Sequence, residues 1–118
     1  MAGFNAAAKN LMLDQLGAAI GFVSLHSADP GATGTTGELT GGTPAYARKA
    51  VTWSAAANGS KAASNQPTFD IPPGGVAAFL GYWSAATGGT FYGSADITDE
   101  TYAGQGTYTA TAITLTQT

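Results

Sequence analysis

Between residues 76 and 83 apolar side chains fill both alternating sets, Ala77/Phe79/Gly81/Trp83 and Val76/Ala78/Leu80/Tyr82. A strand shows successive side chains to opposite faces, so this run predicts a central strand covered on both sides. Thr87-Gly88-Gly89 then supplies the positive φ angles of a tight turn, and residues 90–97 return Phe91 and Tyr92 beside Tyr82 and Trp83. Phe79, Leu80, Tyr82, Trp83, Phe91 and Tyr92 form the expected core hairpin.

Residues 3–20 carry a helical period instead. Phe4, Ala8, Leu11, Met12, Leu16 and Ala19 share one broad stripe, with Asn10 and Asp14 opposite and Gly21 placed to end the helix. This amphipathic helix is expected to lay its stripe on the sheet. Further strands are predicted at 22–26, 46–53, 68–71 and 106–116. In the third-last of these sets Ala47, Val51 and Trp53 face one way, and Tyr46, Arg48, Ala50 and Thr52 the other. In the last strand Tyr108, Ala110 and Ala112 oppose Thr109, Thr111, Ile113 and Leu115.

Turn chemistry separates these runs. Pro30-Gly31 opens a long Gly/Thr-rich loop over about 27–45, broken only by Glu38-Leu39; Asn58-Gly59 marks a turn in a polar stretch at 54–65, and Pro72-Pro73-Gly74-Gly75 stops a ladder. Residues 98–105 read as a connection. Many short strands with one helix predict a mainly β fold, a β-sandwich or jelly-roll-like single domain spanning 1–118, with the helix at 3–20 and the sandwich at 21–118.

Composition narrows the function classes. Without cysteine there is neither a disulfide framework nor a thiolate metal site. The only basic residues are Lys9, Arg48, Lys49 and Lys61, too few for a nucleic-acid footprint. No apolar run approaches the roughly 20 residues of a membrane span, and the start lacks the basic residues of a signal peptide. The expectation is a soluble protein made in a cytoplasm. Charged residues make up 9% of the chain, against about 25% in an average domain. A surface of Thr, Ser, Ala and Gly opposes association weakly and loses little side-chain entropy when covered, so self-association or a protein partner is expected.

Candidate chemistry is sparse. His26 is the only histidine, and Ser27 beside it would point to the opposite face of a strand, so the histidine reads as structural. Gly31–Gly37 lacks the Lys-Ser/Thr ending of a phosphate-binding loop. Asp96, Asp99 and Glu100 miss the spacing of a calcium loop and read as a solvated acidic turn. No catalytic, cofactor-binding or metal-ligating residue is expected. Arg48 follows a loop containing Asp29 and Glu38, so its fork is expected to clamp those carboxylates and anchor the loop.

These residues resemble a known family. Leu25-His-Ser-Ala-Asp-Pro-Gly31, Glu38-Leu39, Pro44-Ala-Tyr-Ala-Arg-Lys-Ala-Val-Thr-Trp53, Gly81-Tyr-Trp-Ser-Ala-Ala-Thr-Gly-Gly-Thr-Phe91 and Gly104-Gln-Gly-Thr-Tyr108 resemble, in order, blocks of small virion proteins of tailed bacteriophages. Members are variously labelled head-decoration, minor capsid, minor tail or tail fibre proteins. Gly37 stands where that family often has Asn before the Glu. The resemblance implies a non-enzymatic structural protein of the virion, made in the host bacterial cytoplasm, with no cofactor. Its partners would be the major capsid protein or other virion proteins, and it would form a homo-oligomer such as a trimer. A compact chain without heptads or collagen-like repeats fits a head decoration or minor capsid protein on the outside of the shell; the alternative is a minor tail or tail fibre component contacting the tail or host surface.

Overall fold

The run at 76–83 is an interior strand of a four-stranded antiparallel sheet in the computed structural model, which describes residues 3–111 and 113–116. Helix α1 (Ala6–Ala19) precedes β1 (Phe22–His26), β2 (Lys49–Ala50), β3 (Ser60–Ala62), β4 (Thr68–Ile71), β5 (Val76–Trp83), β6 (Phe91–Thr101), β7 (Gly106–Thr109) and β8 (Thr114–Thr116). The sheet has the order β2-β1-β5-β6, and two ribbons, β3-β8 and β4-β7, complete the fold. It is mainly β and sandwich-like, with one N-terminal helix. Among the described residues no helix is long and apolar enough to cross a membrane.

Register explains why β5 is apolar throughout. Val23 pairs with Tyr82 and Leu25 with Leu80, so these four share a face and join Phe69, Ile71, Ile113 and Leu115 in one core. Ser24, His26, Gly81 and Trp83 lie on the other face and are buried as well. Of the expected core hairpin, Leu80, Tyr82 and Trp83 are buried, Phe79 and Phe91 are half-buried, and Tyr92 is 42% exposed. Trp83 pairs with Phe91, and their rings meet at 5.1 Å. Gly88 and Gly89 take φ values of 60° and 80° in the connecting turn, which side chains with a Cβ adopt reluctantly.

The helix is rotated from the stripe expected: Leu16 of that stripe packs against the core, but Phe4 and Leu11 do not. Leu13 and Gly17 are buried, while Leu11 is 73% and Phe4 57% exposed. Apolar residues surround α1 almost completely, so periodicity alone does not set its rotation. What sets it is Gly17, which lies against the Lys61 side chain of β3, so that a Cβ there would overlap the lysine stem. Asn10 and Asp14, expected on the outer side, point to the 54–60 loop: Asn10 accepts from Gly59 N–H, and Asp14 accepts from Ala56 N–H and from Lys61 Nζ at 2.7 Å. Asn5 caps the helix by accepting from Ala8 N–H. Gly21 is not a left-handed stop; its N–H bonds the Trp83 carbonyl.

Four further expectations along the chain also change. The stretch 46–53 pairs as a strand only at Lys49–Ala50, because residues 44–48 leave the ladder to serve the loop described below. Residues 106–116 split between two partners, β7 on β4 and β8 on β3, with Ala110 N–H bonded to Pro67 and Ile113 accepting from Ala63 between them. Ala112, assigned to that strand from sequence, lies outside the described residues. β6 runs on to Thr101 and so absorbs the acidic stretch read as a connection. The polar stretch 54–65 contains β3, entered through a turn at Asn58 (φ 53°) and Gly59 (φ 75°).

Candidate functional site

Beyond β2, the long loop takes over the edge of β1. Ser27 N–H bonds the Gly37 carbonyl, Leu39 N–H bonds the Leu25 carbonyl, and His26 and Glu38 form a bridge. Leu25 N–H, left over, donates to the Tyr46 hydroxyl at 3.0 Å. The loop therefore packs as part of the sheet rather than waving over it. Gly34 lies so close to Phe91 and Trp83 that a Cβ would overlap both rings, and its φ is 75°. Gly37 has φ 71°, a left-handed conformation that Gly and Asn reach most readily.

Arg48 ties this loop to the hairpin turn. Its Nε and Nη2 donate to the two carboxylate oxygens of Glu38 at 3.0 and 3.1 Å. Nη1 donates to the carbonyls of Ala85 and Gly88 at 3.1 and 2.9 Å. The guanidinium carbon Cζ lies over the Trp83 ring, 3.7 Å from its centre, an arrangement that favours cation over ring face. The Arg48 side chain is only 9% exposed and that of Glu38 24%. Tyr46 donates its hydroxyl to the same Glu38 carboxylate at 2.9 Å and stacks on Phe69. Burial pushes the Glu38 carboxyl up, but the hydrogen bonds from Arg48 and Tyr46 and the arginine charge outweigh it and hold the group below its ordinary value. Burial and the adjacent carboxylate push the Tyr46 hydroxyl far up, so it stays a donor.

Behind this cluster runs a chain of buried hydrogen bonds. Trp83 Nε1–H donates to Ser24 Oγ at 2.9 Å, Ser24 Oγ lies 2.6 Å from His26 Nε2, and His26 Nδ1 lies 2.8 Å from the Thr36 carbonyl. A carbonyl only accepts, so Nδ1 carries the proton, and in the neutral imidazole that burial favours Nε2 then accepts from the serine. The imidazole is neutral and used at both nitrogens. Burial lowers its pKa, against the Thr36 carbonyl and Glu38, which raise it, and with Arg48, which lowers it. A histidine whose folded pKa is depressed contributes stability above its unfolded value of about 6.5, and that contribution is lost as pH falls toward the folded value. Stability should therefore decline as pH drops below 6.5, and His26→Gln, which keeps a donor and an acceptor, should flatten that part of the curve in pH-resolved thermal melts.

Of the anchor residues expected from sequence, Arg48 and Glu38 meet and Asp29 stands apart. The Asp29 carboxylate accepts from Gly31 N–H at 2.9 Å, a local turn bond that leaves it exposed. Ser24, Thr36, Tyr46 and Trp83 belong to the cluster but were not read as members. Ser24 was within reach of reasoning, since it shares a strand face with His26 two residues on; the carbonyls of Ala85 and Gly88 had no side-chain signal. An open cleft of about 430 Å³ borders the cluster, walled by Leu39, Ala47, Ala86 and Thr87. Among the described residues no group of three or more His, Cys, Asp or Glu is placed to hold a metal ion.

Comparison with curated proteins and with solved structures gives no match. A family model does match, over residues 8–118, and its description is podophage GP4 fiber I protein gp80. The match begins at Ala8, inside α1, and takes in every strand and the Arg48 cluster. It backs a phage virion protein of the fibre kind; the head-decoration expectation finds no support in it. A charge-poor β-fold whose longest loop joins the sheet edge by backbone bonds and is tied to the hairpin turn by Arg48, and whose sequence fits that model almost end to end, belongs to the podophage GP4 fiber I protein gp80 family.

Proposed function

We propose that the protein is a non-enzymatic structural component of a tailed-phage fibre, acting through surface offered to other virion proteins or to the host. The single observation that supports this best is the family match over 8–118. The cluster agrees with it chemically. His26 is neutral and bonded at both nitrogens, Arg48 and Glu38 are paired, and among the described residues no buried side-chain nitrogen or oxygen lacks a partner. Groups satisfied by one another brace a surface rather than bind and turn over a substrate. Immunogold labelling of intact virions with an antibody against this chain tests the reading. Label on the tail fibres is expected, and label confined to the head shell would restore the decoration reading and overturn this one.

A further inference from the structure

We infer that the outer edge of β6 is a docking site for an extended, basic segment of another virion polypeptide, added to the sheet as a further strand. The partner's source rests on the fibre reading; the edge itself does not. The two edges of the sheet differ. The β1 side is closed by β2 and then by residues 37–39, with the Tyr46 hydroxyl on the leftover N–H. β6 is 11 residues long and pairs only with β5, and among the described residues no other backbone hydrogen bond reaches it. About every second residue of such a strand turns its N–H and C=O outward. Lysine and proline, which commonly blunt edges, are absent from Phe91–Thr101, and residues 93–96 keep unbroken register with β5.

Two clefts lie along this edge. One of about 270 Å³ separates Tyr92–Ala95 from Leu16, Ile20 and Leu115, and another of about 280 Å³ separates Asp96–Thr98 from Tyr108 and Ile113. An added strand would send alternate small or apolar side chains into them. Charge selects the partner. Asp96, Asp99 and Glu100 are exposed, with no ion pair among the described residues, and β6 has no basic residue. Antiparallel pairing of the whole strand with its own copy would set Asp96 against Asp96, a destabilising like-charge pair. A basic segment of a different chain meets the same acids favourably.

Amide hydrogen exchange in β6, compared between the dilute purified protein, the concentrated protein and intact virions, tests this. Exchange of alternate amides over 92–98 is expected to slow about tenfold or more in virions only. Unchanged exchange in virions overturns the site, and slowing in the concentrated protein alone assigns the edge to a second copy and overturns the partner. Asp99→Lys/Glu100→Lys, with its melting temperature checked, should enter virions less well than the parent; equal uptake overturns a basic partner. Protected β6 in virions labelled on the head would reject the fibre reading and leave this site standing.

Discussion

Arg48→Ala should lower stability by about 2 to 4 kcal/mol and open the 27–45 loop to proteolysis while the sheet stays folded. The side chain is 9% exposed and supplies four hydrogen bonds across the loop and the hairpin turn. Its removal strands a half-buried Glu38 and two carbonyls and uncovers Trp83, whereas partial hydration of Glu38 keeps the loss below that of a fully sealed pair. Arg48→Lys keeps the charge but cannot span both carboxylate oxygens and both carbonyls, so an intermediate loss is expected. The pH dependence follows from Glu38. Its folded pKa is lowered, so the pair contributes fully above the ordinary carboxylate value and is lost as pH falls through the folded one. Below about pH 4.5 the parent should therefore lose its advantage over Arg48→Ala. Denaturant melts and limited digestion measure both effects, and a change under about 0.5 kcal/mol would mark the arginine as an ordinary surface residue.

Leu13→Ala should cost about 2 to 5 kcal/mol, and Leu11→Ala less than about 0.5. Leu13 is 2% exposed and packs in the core, whereas Leu11 is 73% exposed on the opposite side of α1. Both changes put the best helix former in place of a near equal, so propensity does not confuse the comparison. Chemical unfolding of the two variants reads out the helix rotation directly. The reverse order would mean that the Phe4/Leu11 stripe faces the core.

What the chain discloses depends on how many neighbours decide a residue's place. β5 was legible because burial on both faces leaves an apolar residue at every position, and its turn because Gly88 and Gly89 carry the φ values themselves. The Arg48–Glu38 pair was legible from two opposite charges in a nearly uncharged chain. The phase of α1 was not, since Gly17 matters through Lys61, which is distant in sequence. Asp29 misled because a carboxylate near an arginine in sequence looks the same whether it pairs or caps its own turn. β3 and the break between β7 and β8 were hidden because Ser60–Ala62 and Thr114–Thr116 are short and acquire strand geometry by pairing with each other.

The long loop joins the edge of β1 through backbone bonds, and Arg48 ties it to the hairpin turn through Glu38; a double-mutant cycle between Arg48 and Glu38 tests that tie most directly. Arg48→Ala, Glu38→Ala and the double variant are unfolded in denaturant alongside the parent. A coupling of about 2 kcal/mol is expected for a half-buried pair that bonds through both oxygens. A coupling near zero, with each single loss retained in full by the double variant, would contradict it.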